Sequence, residues 1–177
     1  MAIRPHNPRD PFGGYAPTTI ILHWTTAVFV IALYVVHGRN ASTHIGLGLI
    51  AAPFLLWRVT RRFKRGFARI SDLSAAFNVT SRVTMFALLV CVLALAVTGL
   101  LLPMLRGDAY LVFDWTSFTV PFPIMPEAAM IAETIHSIAG HSCMLLAGFH
   151  IIDGLTHHFF DKDNVLVRIL RPAKNGK

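Results

Sequence analysis

Apolar residues in this chain come in long blocks, not in the alternation of a half-buried strand or the spacing of a soluble amphipathic helix. Four blocks stand out, at about 18–36, 44–60, 79–105 and 130–160, and the segments between them carry charge, proline or glycine. A helix rises 1.5 Å per residue, so roughly 20 apolar residues cross a hydrocarbon core of about 30 Å. The pattern predicts an all-α fold, an integral membrane four-helix bundle over residues 17–160 with polar tails at 1–16 and 161–177. The link "HGRNAST" is only a few residues long, which makes the first two helices antiparallel neighbours. The tail "DKDNVLVRILRPAKNGK" predicts a short amphipathic helix on the inner face.

Composition agrees. The chain has 177 residues, 54% of them apolar and 14% charged, and a soluble domain of that size lacks the interior to hide so much apolar surface. Its net charge of +7 is not spread evenly. Basic residues gather in the first tail (Arg4, Arg9), after the second block (Arg58, Arg61, Arg62, Lys64, Arg65, Arg69) and after the fourth (Lys162, Arg168, Arg171, Lys174). Asp108, Asp114, Glu127 and Glu133 lie in or beside the third connection. The positive-inside rule then puts both termini in the cytoplasm and the third connection outside, and explains the charge without nucleic acid. The polar N-terminal tail and the absence of a small-residue cleavage pattern argue against a cleaved signal peptide. Cys91 and Cys143 fall inside apolar blocks and are expected to be packed thiols. The basic loop "RRFKRGFARISDL" suits anionic lipid headgroups, and the aromatic connection "RGDAYLVFDWTSFTVPFPIMPEAA" suits a cap over the outer end.

Histidine changes the picture most. Five of nine imidazoles fall in "HSIAGHSCMLLAGFHIIDGLTHHFF", and ionisable groups inside a membrane helix are costly enough to signal function. His136 and His150 are fourteen residues apart, almost a whole number of turns and roughly 21 Å along one helix face. His44 opens the second block level with His136, and His23 sits early in the first block at the depth of His150. The helices therefore predict two stacked cross-helix pairs, His44 with His136 and His23 with His150, as two bis-histidine b-type haems require. Gly48 and Gly140 each follow an outer histidine by four residues and would let a porphyrin lie against the backbone. Close packing between helices is the other use of such glycines. Arg58, fourteen residues after His44, is the expected propionate partner of the inner haem, with Arg39 and Arg106 as outer candidates; snorkelling to the interface is their alternative role. His37 reads as interfacial, and His141, about 140° around the helix from His136, faces a neighbour or a propionate. His157, His158, Lys162 and Asp153 form a candidate quinone site at the cytoplasmic mouth, where reduction needs protons, or else a solvated helix end.

These residues resemble the prokaryotic cytochrome b-561 family, small four-helix di-haem cytochromes of bacterial inner membranes. The likeness rests on "LHW" opening the first helix, on His44 with Gly48 and a basic run, on two histidines fourteen apart, and on the ending "HHFFDKDNVLVRIL". The resemblance implies the four ligands His23, His44, His136 and His150, exchange of electrons with ubiquinone or another quinone, and, for superoxide oxidases within the family, superoxide as donor. Arg39, Arg106 and the capping loop would attract that anion. One departure stands out: relatives often have histidine early in the third helix, where "TSRVTMF" carries Arg82 and Met85.

Three functions follow as expectations. The first is a di-haem oxidoreductase passing electrons from a periplasmic one-electron donor, superoxide foremost, to membrane quinone. The second is a membrane anchor that carries electrons for a separate periplasmic dehydrogenase docked on the outer loop. The third, a histidine-rich divalent-metal transporter, needs ligands converging at one level with carboxylates, and the histidines here split into two levels.

Overall fold

A computed structural model describes residues 15–65, 75–160, 165–170 and 172. Its helices are α1 (Pro17–Val36), α2 (Ala41–Arg65), α3 (Ala75–Arg106), α4 (Pro126–Phe159) and α5 (Val165–Leu170). The first four are long and apolar enough to cross a membrane, which accounts for the apolar blocks. Lys162 and most of the basic loop lie outside the described residues.

Local chemistry sets the helix ends. Gly38, at φ 72°, breaks α1, and two residues on the Asn40 side chain accepts the Thr43 N–H at 2.8 Å as the N-cap of α2. α3 ends in a Schellman turn: the Gly107 N–H reaches the Met104 carbonyl and the Asp108 N–H the Pro103 carbonyl, with Gly107 at φ 74°. α4 starts at Pro126, four residues before its apolar block. Proline in the first turn loses no helical hydrogen bond, and Glu127 complements the positive end of the helix dipole.

The third connection departs from an all-helical chain. Two short strands, β1 (Tyr110–Val112) and β2 (Thr116–Phe118), pair antiparallel with Val112 opposite Thr116. Phe113 (φ 52°) and Asp114 (φ 60°) occupy the left-handed region, and the Trp115 N–H bonds back to the Val112 carbonyl. That is a type I′ turn, made without the glycine or asparagine it usually demands. Contacts to α2 offset the strain. The Asp114 N–H donates to Ser42 Oγ at 2.6 Å, and the Phe113 ring fills the space beside Gly46, where a β-carbon would come within 2.9 Å of it. Tyr110 is buried, and its hydroxyl donates to the Leu100 carbonyl of α3. The hairpin is thus fastened over the end of the bundle that the charge distribution predicts to be outer.

Inside, α3 packs closely on α4, and α2 on α1 and α3. A core of Ala51, Leu55, Val59, Leu89, Val92, Ala96 and Cys143 joins α2, α3 and α4. Small side chains there bring backbones together where lipid gives no hydrophobic drive. α4 packs far less closely on α1 and α2. The histidines lie along that looser side. α5 lies at the opposite end, the one expected to be inner, where the Trp24 indole N–H of α1 donates to the Ile169 carbonyl at 3.1 Å.

Candidate functional site

On the loose side of α4 two imidazole pairs face each other. The His44 and His136 ring centroids are 6.1 Å apart with planes at 82°, and those of His23 and His150 are 6.3 Å apart at 67°. α4 contributes one ring to each pair, α2 and α1 the other.

Hydrogen bonding fixes the tautomer of the outer pair. His44 Nδ1 lies 3.1 Å from the Leu33 carbonyl, which can only accept, so Nδ1 carries the hydrogen. His136 Nδ1 lies 2.9 Å from Thr98 Oγ1, whose own hydrogen is directed to the Ala94 carbonyl at 2.6 Å. The bond to His136 therefore runs from imidazole to hydroxyl. Both outer rings keep the Nε2 lone pair for a ligand, and both are oriented through the opposite nitrogen, as metal-binding histidines generally are. Gly99 makes room for this: a β-carbon there would sit 3.1 Å from His136 Cε1.

A cavity of about 340 Å³ opens at this tier, lined among others by His44, His136, Gly48, Gly140 and Tyr110. At Gly48 and Gly140 an added β-carbon would meet nothing nearer than 4.0 and 3.9 Å, so both glycines leave cavity space instead of closing a tight helix contact. Arg106 also lines the cavity and pairs with Glu133 at 2.6 Å; both are well exposed, so the pair adds at most about 1 kcal/mol. Arg39 is exposed and does not line the cavity.

At the inner tier, the Arg58 guanidinium donates to His23 Nδ1 at 2.9 Å. This brings Arg58 to the level its spacing predicts, but onto the His23 ring itself. Arg62 reaches Met85 Sδ at 3.8 Å, so the third-helix methionine meets the basic run of α2. Asp153, one turn beyond His150, accepts from Ser81 Oγ at 2.9 Å. His158 Nδ1 is buried without a hydrogen bond among the described residues, and its ring lies against Phe159. His157 is placed on α4 only by its backbone.

Sequence spacing did not suggest Thr98, Gly99 or the Leu33 carbonyl, which orient the outer rings. Nor did it suggest Ser81 as the partner of Asp153. The available signal was "TG" at 98–99, a polar and a vacant position side by side in an otherwise apolar helix facing α4.

A family model described as prokaryotic cytochrome b561 matches residues 14–172. Two proteins of Escherichia coli (strain K12) are similar along most of their length. Cytochrome b561 homolog 2 is 24% identical over 172 residues, covering 88% of this chain and 90% of its own. Cytochrome b561 homolog 1 is 24% identical over 176 residues, covering 90% and 98%.

Proposed function

The chain belongs to the prokaryotic cytochrome b561 family, whose members are membrane electron-transfer proteins with b-type haem, and on that premise we propose that it is a di-haem oxidoreductase linking a periplasmic one-electron donor, superoxide foremost, to the membrane quinone pool. The observation that carries this reading is the pair of imidazole separations. A nitrogen bonded to a metal at about 2 Å leaves its ring centroid about 3.2 Å from the ion, so two rings flanking one iron stand roughly 6.4 Å apart. The 6.1 and 6.3 Å separations suit that arrangement at both tiers. Haem b held between such rings would supply one-electron oxidation and reduction.

The remaining roles belong to the chain. His44 and His136 present their Nε2 atoms, held by Leu33 and Thr98. Gly48 and Gly140 leave the porphyrin its place against α2 and α4. At the inner tier His23 and His150 take the same part. For His23 to bind through Nε2 with Nδ1 protonated, Arg58 must release Nδ1, which frees the guanidinium for a propionate. Arg106 at the outer cavity, with Arg39 nearby on the α1–α2 turn, favours approach of an anion from the periplasm, the side given to the hairpin by the distribution of basic residues. Electrons leave at the cytoplasmic end, where the buried Nδ1 of His158, without a hydrogen bond among the described residues, suits a quinone carbonyl, with His157 and Lys162 as neighbours in sequence and Asp153 as proton carrier. Both termini are then cytoplasmic, and the protein is a multi-pass component of the inner membrane.

Stopped-flow mixing of the purified, oxidised protein with superoxide tests this. Haem reduction without a partner protein, followed by reoxidation with added ubiquinone, is the expected course. Haem that stays oxidised until a periplasmic dehydrogenase is supplied would favour the anchor reading. The exposed apolar run Trp115, Val120, Phe122, Ile124 on the outer hairpin side gives that alternative its docking surface.

A further inference from the structure

A third pair of histidines, separate from the four tier histidines, lines the same outer cavity. His37 ends α1, and its Nδ1 is 2.6 Å from the Tyr34 carbonyl; His141 in α4 has Nδ1 2.9 Å from the Ser137 carbonyl. Carbonyl oxygens only accept, so both Nδ1 atoms carry hydrogen and both neutral rings keep a lone pair on Nε2. The ring centroids are 6.2 Å apart with planes at 89°, and the Tyr34 ring touches both, at 5.0 and 5.9 Å. Unlike the tier histidines, both are exposed. They face each other across the outer part of the gap between α1 and α4, on the rim of the outer cavity.

We propose that His37 and His141 form a binding site for a divalent transition-metal ion of the zinc or copper class. Imidazole nitrogen suits those ions, whereas calcium and magnesium require oxygen ligands. The backbone carbonyl on each opposite ring nitrogen is the outer-shell partner such ligands generally have, and it fixes both tautomers before any ion arrives. Among the described residues no three potential ligand side chains converge, so the protein gives two nitrogens and water completes the coordination. A tetrahedral ion shared by both Nε2 atoms sets the ring centroids about 5 Å apart. Two exposed side chains at the end of one helix and the flank of another can close the remaining distance of about 1 Å by rotating about their side-chain bonds. The ion sits at the rim, where Tyr34 shields one side, and adds positive charge beside the outer cavity.

The test uses the haem-loaded protein in detergent with any affinity tag removed. Zinc chloride is titrated calorimetrically, and Cu²⁺ is followed by electron paramagnetic resonance. One ion per chain is expected, with Cu²⁺ hyperfine structure from two imidazole nitrogens. His37→Gln and His141→Gln should each weaken binding at least about 100-fold, more than loss of an outer-shell partner, with haem content unchanged. No stoichiometric binding, or binding that neither substitution weakens, overturns the proposal. So does loss of haem from both variants, which would assign the pair to the haem cavity. The copper spectrum of the unsubstituted protein decides the question even if a variant folds poorly.

Discussion

At the scale of single residues, the ligand role proposed for His136 would depend on a hydroxyl in the neighbouring helix. Thr98 passes its own hydrogen to Ala94 and so can only accept from His136 Nδ1, which leaves the correct nitrogen bare. Thr98→Val keeps the shape and removes the acceptor. Affinity for the outer haem should fall about 10- to 100-fold, measured as the rate of haem transfer to an apo-globin, and Thr98→Ser should restore it. Arg58 makes an electrostatic contribution. Removing its charge in Arg58→Gln should lower the midpoint potential of one haem by several tens of mV (roughly 1–2 kcal/mol at an effective dielectric of 20), read in a redox titration, and leave the other unchanged. The four tier histidines were legible in the sequence because helical spacing converts directly into depth and face. Thr98 was not, because a threonine in an apolar helix commonly bonds its own preceding turn, and Thr98 does that as well. The contact of Arg58 with His23 itself was equally hidden, since spacing gives the level of a side chain and not the atom it touches.

Between elements, the outer hairpin shows what periodicity misses. Apolar blocks located the four membrane helices, but the third connection has neither alternation nor a glycine turn to betray its strands. Phe113 and Asp114 hold left-handed backbone because α2 offers Ser42 and the bare face of Gly46. Gly46→Ala should push the Phe113 ring off α2 at a cost of about 1–3 kcal/mol. Limited proteolysis should then cut within residues 107–125 faster than in the unsubstituted protein, while the four helices keep their circular dichroism. Equal cleavage rates would mean that Gly46 does not seat the turn. The early start of α4 has a simpler cause. Apolar residues mark where lipid is expected to begin, whereas Pro126 and Glu127 mark where the helix begins, and the first turns of α4 pack through Ala129 and Ala132 on Leu105 at the end of α3.

For the molecule as a whole, close packing runs α1 to α2 to α3 to α4 and does not close the circle. Both histidine pairs lie on the open side, each joining α4 to the α1–α2 hairpin. In this account the cofactors complete the bundle, and a ligand that binds only the folded state stabilises it. Protein produced under haem limitation should therefore melt at a lower temperature than loaded protein, and added haemin should restore the difference. Stacked tiers roughly 21 Å apart along α4 then give electrons a path from the hairpin side to the α5 side.

The central claim, one iron gripped between imidazoles at each tier, is tested most directly by counting haem. A pyridine haemochrome assay on the purified protein should give two b haems per chain, and one after His44→Ala or His150→Ala, with different reduced-minus-oxidised spectra in the two variants. A single haem in the unsubstituted protein, or two retained after either substitution, would contradict it.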